Sequence, residues 1–301
     1  MNYHACTKGD VQNWQLWNRQ GFFPGLDESE AQFVARIDYC LHLKKNLDFA
    51  EIPVLFENKN ELSPHLLQEA WSVTEKLYGI YPQWVLVCCS NYQLMPWHGG
   101  CAWIFKTSDS APLAAFIQLR GSFYKRSNYL GIYNRTEIVT HELAHIGRMA
   151  YPESKFEELF AYQTSKKWWR QALGPIVESA RESVFFIITL SALVGVDLFL
   201  FISLEYLDFW HLFIWLHSIP FLLITLAGVR LAYRHYTYKK CLYKLNLLLE
   251  DKKKAKHLLY RLSDAEIVKF SHLSPQAIRT YINNASLKSF RWHFFQAIYL
   301  V

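Results

Sequence analysis

Residues 141–145 read His141-Glu142-Leu143-Ala144-His145. On an α-helix, positions i and i+4 lie on one face, so two imidazoles at this spacing can hold a single zinc ion. Glu142 then stands beside the ion as general base for a zinc-activated water. The flanking residues favour a helix. Asn134-x-x-Glu137 has the pattern of a capping box, with Glu137 placed to bond back. No proline interrupts Glu137 to Met149, Gly147 follows the second histidine, and Pro152 ends the run.

Such a site needs a third protein ligand. After a turn at Tyr151-Pro152, residues 153–170 (ESKFEELFAYQTSKKWWR) predict a second helix. It offers Glu157 and Glu158, 12 and 13 residues past His145. Packing two helices closely around a metal favours a small residue near the ligand. Ala161 supplies one, at i+4 from Glu157 and i+3 from Glu158. Spacing alone leaves both glutamates open.

These residues resemble the gluzincin branch of the zincin metallopeptidases, over His141 to about Arg170. In that branch the third ligand often stands in a Glu-x-x-small-Asp pattern. Glu158-Leu159-Phe160-Ala161 matches its first four positions. The resemblance thus favours Glu158, with Glu157 as the alternative. Tyr162 stands where the pattern has an Asp that orients a histidine.

The resemblance implies an α+β, zincin-like domain: a small sheet with the HExxH helix and a Glu helix. It implies Zn2+ as cofactor and a peptide or protein as substrate. Glu142 would take the proton of the water that attacks the peptide carbonyl, and a cationic or phenolic group would stabilise the oxyanion. Arg148, Tyr151 and Tyr162 are candidates by proximity. It also implies an edge strand that holds substrate backbone, for which Leu113 to Leu119 is the candidate.

Around this segment the N-terminal part reads as mixed α and β. Phe33, Val34, Ile37 and Leu41 recur at helical spacing within a helix predicted from Asp27 to Lys45. Ser63 and Pro64 open another that runs to Tyr78. Trp84 to Cys89, Cys101 to Lys106 and Leu113 to Leu119 read as short strands, with a turn at Pro96 to Gly100. The six cysteines are scattered and form no CxxC pair. They are expected as reduced core thiols rather than disulfides or zinc ligands. The first residues lack an apolar run behind a basic start, so a cleaved signal peptide is not expected.

The chain has 301 residues, of which 51% are hydrophobic, 17% aromatic and 19% charged. This excludes a disordered or low-complexity chain. It suggests a soluble domain joined to a membrane segment. Val184 to Leu204 and Phe209 to Val229 are each long enough to cross a bilayer core of about 30 Å. The four residues between them hold Glu205 and Asp208 and no cation. Lys166, Lys167, Arg170 and Arg181 flank one side, and Arg230, Arg234, Lys239 and Lys240 the other. The positive-inside rule then puts both flanks in the cytoplasm, and the paired spans suggest a bacterial inner membrane. Asp197 and His217 fall at the same depth, each about 12 Å from the loop, and are expected to pair.

Three regions follow: a zincin-like catalytic domain at 1–175, a transmembrane hairpin at 176–234 and a basic helical cytoplasmic tail at 235–301. Residues 1–175 hold 17 Lys+Arg and 17 Asp+Glu, whereas 235–301 hold 12 and 4. Residues 235–262 read as a helix continuing from the second span. Its cluster Lys252, Lys253, Lys254 and Lys256 is a candidate for anionic lipid. Residues 263–282 have a helix-turn-helix outline, opened by a Ser263–Glu266 capping box and by Ser274-Pro275. Nucleic acid is not the favoured partner, because the remaining helices of a DNA-binding domain are not evident. The leading expectation is a membrane-anchored zinc metallopeptidase. The competing one is a non-catalytic membrane protein whose basic tail binds a protein, anionic lipid or DNA.

Overall fold

A computed structural model describes residues 8–43, 61–152, 155–177, 180–202 and 214–300. Three helices come first: α1 (Lys8–Arg19), α2 (Glu30–Leu41) and α3 (Pro64–Tyr78). A complete capping box between Ser29 and Gln32 starts α2. Pro64 occupies the first turn of α3, and Gly79, left-handed at φ 67, ends it. Both predicted helices are present, the first over Glu30–Leu41; Lys44 and Lys45 at its predicted end lie outside the described residues, and Ser63 starts α3 without a side-chain cap bond.

The sheet has strands β1 (Val87–Cys89), β2 (Gly100–Phe105) and β3 (Ala114–Leu119) in the order β1-β3-β2. β3 runs parallel to β1 and antiparallel to β2, and every one of its residues is buried. The expected substrate-holding strand, Leu113 to Leu119, is therefore the central one, with hydrogen-bonding partners on both sides. The edge beside the motif belongs to β2. A small hairpin, β4 (Asn128–Tyr129) and β5 (Tyr133–Asn134), leads into α4 (Arg135–Gly147). This helix carries residues 141–145 and packs against α3 and β2. Asn134 Oδ1 caps it by accepting from the Glu137 N–H at 3.3 Å.

The second helix predicted at 153–170 is split into α5 (Glu157–Tyr162) and α6 (Trp168–Leu173). The break has a local cause. The Thr164 hydroxyl donates to the Ala161 carbonyl at 2.6 Å, and Ser165 Oγ accepts from the Lys167 N–H at 3.2 Å. Side chains thus take over from the helical ladder.

Two helices, α7 (Ala180–Ile202) and α8 (Ser218–Leu249), are long and apolar enough to cross a membrane. Phe185, Ile188, Phe199, Phe221, Leu222 and Leu226 stand exposed along them. The loop with Glu205 and Asp208 lies outside the described residues. Asp197 and His217 pair as expected, at 3.0 Å. Arg230 forms a two-pronged ion pair with Glu182 at 2.8 and 2.9 Å.

Beyond Arg230, α8 changes character. Leu231, Arg234, Tyr238, Cys241, Leu245 and Leu248 are buried and recur at three and four, so one face joins the core. Glu250, left-handed at φ 53, breaks the helix predicted to continue to residue 262. Asp251 then caps α9 (Lys252–Tyr260). Three helices follow: α10 (Asp264–His272), α11 (Pro275–Ser286) and α12 (Phe290–Tyr299). The Ser263–Glu266 capping box has both of its bonds.

Residues 235–301, expected as a tail, contribute to the same core as the N-terminal residues. Trp14 and Phe33 pack on Phe290 and Phe294, and Tyr78 stacks on Tyr260 with ring centroids 4.2 Å apart. Two cations of residues 235–301, Arg261 and Arg291, are buried, together with Asp264 and Glu266. Arg261 donates to Asn18 Oδ1 at 2.6 Å and to the Tyr78 carbonyl at 2.7 Å. Cys40, Cys88, Cys89 and Cys241 are free, buried thiols, and burial pushes Cys40 and Cys88 up to about 12.

Candidate metal centre

The i, i+4 spacing on α4 puts both imidazoles on the face toward α5, with ring centroids 5.0 Å apart. The first turn of α5 brings two glutamates to meet them. Glu158 Oε2 lies 3.6 Å from His141 Nε2, and Glu158 Oε1 lies 3.6 Å from His145 Nε2. One ligand atom from each of His141, His145 and Glu158 lies within 4.8 Å of the others. Tetrahedral zinc, with bonds of about 2.0–2.1 Å, separates its ligand atoms by about 3.4 Å. Two nitrogens and a carboxylate oxygen at these distances suit that ion in both donor chemistry and spacing.

Glu157 faces a different atom. Its Oε1 lies 3.0 Å from His145 Nδ1, on the other side of the ring. A carboxylate there fixes the tautomer that leaves Nε2 free to bind metal. The Tyr162 ring packs edge-on against His141, 4.8 Å between centroids.

Glu142 is buried between α4 and the sheet, and its Oε2 accepts from the Ala102 N–H of β2 at 2.8 Å. Burial pushes its carboxyl up to about 7 against the charge of His145, with Glu158 and Glu157 adding to the rise. His145 is raised to about 9: burial opposes the proton, but Glu157, Glu158 and Glu142 outweigh it. His141 is held well below its ordinary value by burial, His145 and Arg170. Three carboxylates crowded on two imidazoles form a site whose repulsion a divalent cation would relieve.

Two openings reach these groups. A groove of about 440 Å³ runs along Gly100, Cys101, Ala102 and Ile104 past His141, His145 and Glu158. A smaller cleft of about 200 Å³ lies between Trp97, Tyr133, Ile138, Tyr162 and Arg170. His98 lines both. The glycines beside it lie close to their neighbours, and at Gly100 the neighbour is backbone. A Cβ on Gly99 would lie 2.3 Å from Ile138 Cδ1, and one on Gly100 2.8 Å from the Gln118 carbonyl oxygen.

Of the three expected oxyanion donors, the structure brings only Tyr162 to the cleft. Arg148 and Tyr151 are buried on the far side of α4. Because α4 ends at Gly147, Arg148 falls on its C-cap and turns to the C-terminal helices. It donates to the carbonyls of Tyr260, the last residue of α9, and Leu262 just beyond it, and reaches Asp264 at 3.5 Å. The Tyr151 hydroxyl donates to the Arg261 carbonyl at 2.7 Å. Glu153, a possible partner for Arg148, lies outside the described residues. Glu137 does not complete the capping box. Its side chain pairs with Arg170 at 2.8 Å and accepts from the Ser165 hydroxyl.

No protein-family model matches the chain, and neither a curated protein nor a solved structure matches it.

Proposed function

We propose that the protein is a membrane-anchored zinc peptidase in which His141, His145 and Glu158 hold the metal. The supporting observation is the division of labour between adjacent glutamates: Glu158 faces both Nε2 atoms while Glu157 faces the far nitrogen of His145. A helix with two incidental histidines has no need of both arrangements. A zinc ion in such a set supplies Lewis acidity and lowers the pKa of water.

The protein's own groups do the rest. Glu142, with its raised pKa, accepts the proton of the attacking water and passes it to the leaving nitrogen. The substrate lies along β2. There the Ala102 N–H points away from β3 toward Glu142, so strand alternation turns the Ala102 and Ile104 backbone outward as well. Tyr162 takes the expected place beside the carbonyl oxygen, and the cleft lined by Tyr133 and Ile138 receives a side chain.

The test is zinc content together with hydrolysis of an unstructured protein such as casein, in detergent-purified protein. Wild type is expected to bind about one zinc and to hydrolyse substrate. Glu142→Gln should keep the zinc and lose hydrolysis by a factor of about 10² or more. A metal-replete preparation with no zinc would overturn the reading.

A further inference from the structure

The short helix α6 presents an apolar surface that none of the described residues covers. Trp168 is 77% exposed, Trp169 48% and Leu173 57%, and no residue of α6 is buried. Lys166 and Lys167 precede the tryptophans, and the Lys167 ammonium lies 5.9 Å from the centre of the Trp169 ring. Two exposed tryptophans beside lysines on one short helix have the composition of a membrane-interface anchor. In such an anchor the rings lie at headgroup level while an ammonium group reaches water and phosphate; here that group is Lys167, because Lys166 pairs with Glu69 at 2.7 Å.

The position of α6 agrees with its composition. The Glu182–Arg230 ion pair marks the polar end of both apolar helices. His235 Nε2 lies 3.0 Å from the Ala172 carbonyl, and Arg234 donates to the Pro175 carbonyl, so α6 and the turn after it sit level with residues 234–235 of α8. Arg230 to His235 is about 7–8 Å of helix. The headgroup layer on each side of a bilayer is about 5–8 Å thick. Both estimates put the Ala172 end of α6 at the level of that layer, with Trp168 and Trp169 about one turn away on the same helix. By contrast, the cluster at Lys252–Lys256 begins about 30 Å beyond Arg230 along the chain's helical path, several screening lengths from a lipid surface.

We infer that α6 lies in the headgroup layer of the bilayer, with Trp168 and Trp169 as its anchors. The inference rests on reading α7 and α8 as membrane spans, and not on zinc or hydrolysis. It has a consequence for the candidate site. Arg170 of the same helix pairs with Glu137 and lines the inner cleft beside Tyr162. The cleft wall and the bilayer surface are therefore parts of one helix.

The test is photo-crosslinking of the full-length protein in nanodiscs of phosphatidylcholine and phosphatidylglycerol. p-Benzoylphenylalanine replaces Trp168, Phe201 or Tyr243 one at a time. These side chains are 77%, 79% and 60% exposed, so none of the replacements disturbs the core. Phe201 lies within an apolar helix, and Tyr243 lies on α8 about 20 Å beyond Arg230. Lipid adducts detected by intact mass are expected at 201 and 168, several-fold above those at 243. Adducts at 201 without adducts at 168 would overturn the anchoring of α6 and leave the spans standing. Adducts at 243 as abundant as at 168 would also overturn it, because contact would then not follow depth. No adduct at 201 would remove the membrane reading itself, and the inference with it.

Discussion

The Glu157 carboxylate sits 3.0 Å from Nδ1 of His145, across the ring from the nitrogen that faces Glu158. Neighbouring residues of one type therefore have different effects when changed. Glu158→Ala is expected to abolish stoichiometric zinc binding. Glu157→Gln should retain binding but weaken it by about 10–100-fold, the usual cost of losing a carboxylate behind a ligating histidine. Metal competition against a chromogenic chelator measures both. Equal losses in the two variants would contradict the assignment.

Gly147 is where α4 meets the C-terminal helices. A Cβ there would lie 2.1 Å from the Tyr260 hydroxyl, which donates to the Ala144 carbonyl at 2.7 Å. Gly147→Ala should destabilise the protein by about 1–3 kcal/mol through overpacking. Removing the hydroxyl makes room, so Tyr260→Phe should lessen the damage of Gly147→Ala. A double-mutant cycle by thermal or denaturant unfolding is expected to give a coupling of at least about 0.5 kcal/mol.

Much of this was legible in the sequence. The motif, both candidate glutamates, the Ser63 and Ser263 starts and the Asp197–His217 pair each rest on short-range spacing, and the structure has them in place. What was not legible depends on contacts across the chain. Arg148 seemed a neighbour of the site because its acceptors at Tyr260 and Leu262 are more than a hundred residues away. Strand order is likewise invisible in three short apolar runs, so Leu113 to Leu119 could not be recognised as central. The break at residues 163–167 comes from hydroxyl bonds that compete with a sequence otherwise suited to continue the helix.

Acid sensitivity should trace to Glu266 and Arg291. Burial alone would raise the Glu266 carboxyl, but the Arg291 guanidinium at 2.7 Å and the Ser263 cap hold it below the ordinary range. A carboxyl lowered by folding stabilises the folded state at every pH above its ordinary pKa. That stability is lost as pH falls through the lowered value. Glu266→Gln should cost about 3–5 kcal/mol at neutral pH, because it leaves Arg291 buried without its counter-charge. The variant should also show a flatter dependence of unfolding on pH below about 4.3, the ordinary glutamate value. Melting temperatures across that range decide it.

Within the apolar helices, Asp197 and His217 should behave as a unit. Asp197→Leu alone leaves the His217 ring without the carboxylate at 3.0 Å, whereas Asp197→Leu with His217→Leu removes both polar groups. The double variant is expected to resist unfolding in detergent better than either single one. The coupling should be about 0.6–1.7 kcal/mol, as for polar pairs between membrane helices. Strict additivity would mean that the pair does not hold the two helices together.

The embrace of the motif helix by the two ends of the chain sets an order on synthesis. Residues 141–145 leave the ribosome long before Tyr260, their hydrogen-bonding neighbour 116 positions later, and longer still before Tyr299, which meets Asn18 across 281 positions. Until those residues are made, Arg148 has no carbonyls for its guanidinium, Tyr78 lacks its stacking partner, and one side of α4 faces water. The apolar helices therefore emerge, and can enter a bilayer, before the histidines are locked in place. A growing chain carries the motif without the finished site, and only the last helix, α12, closes the body around it.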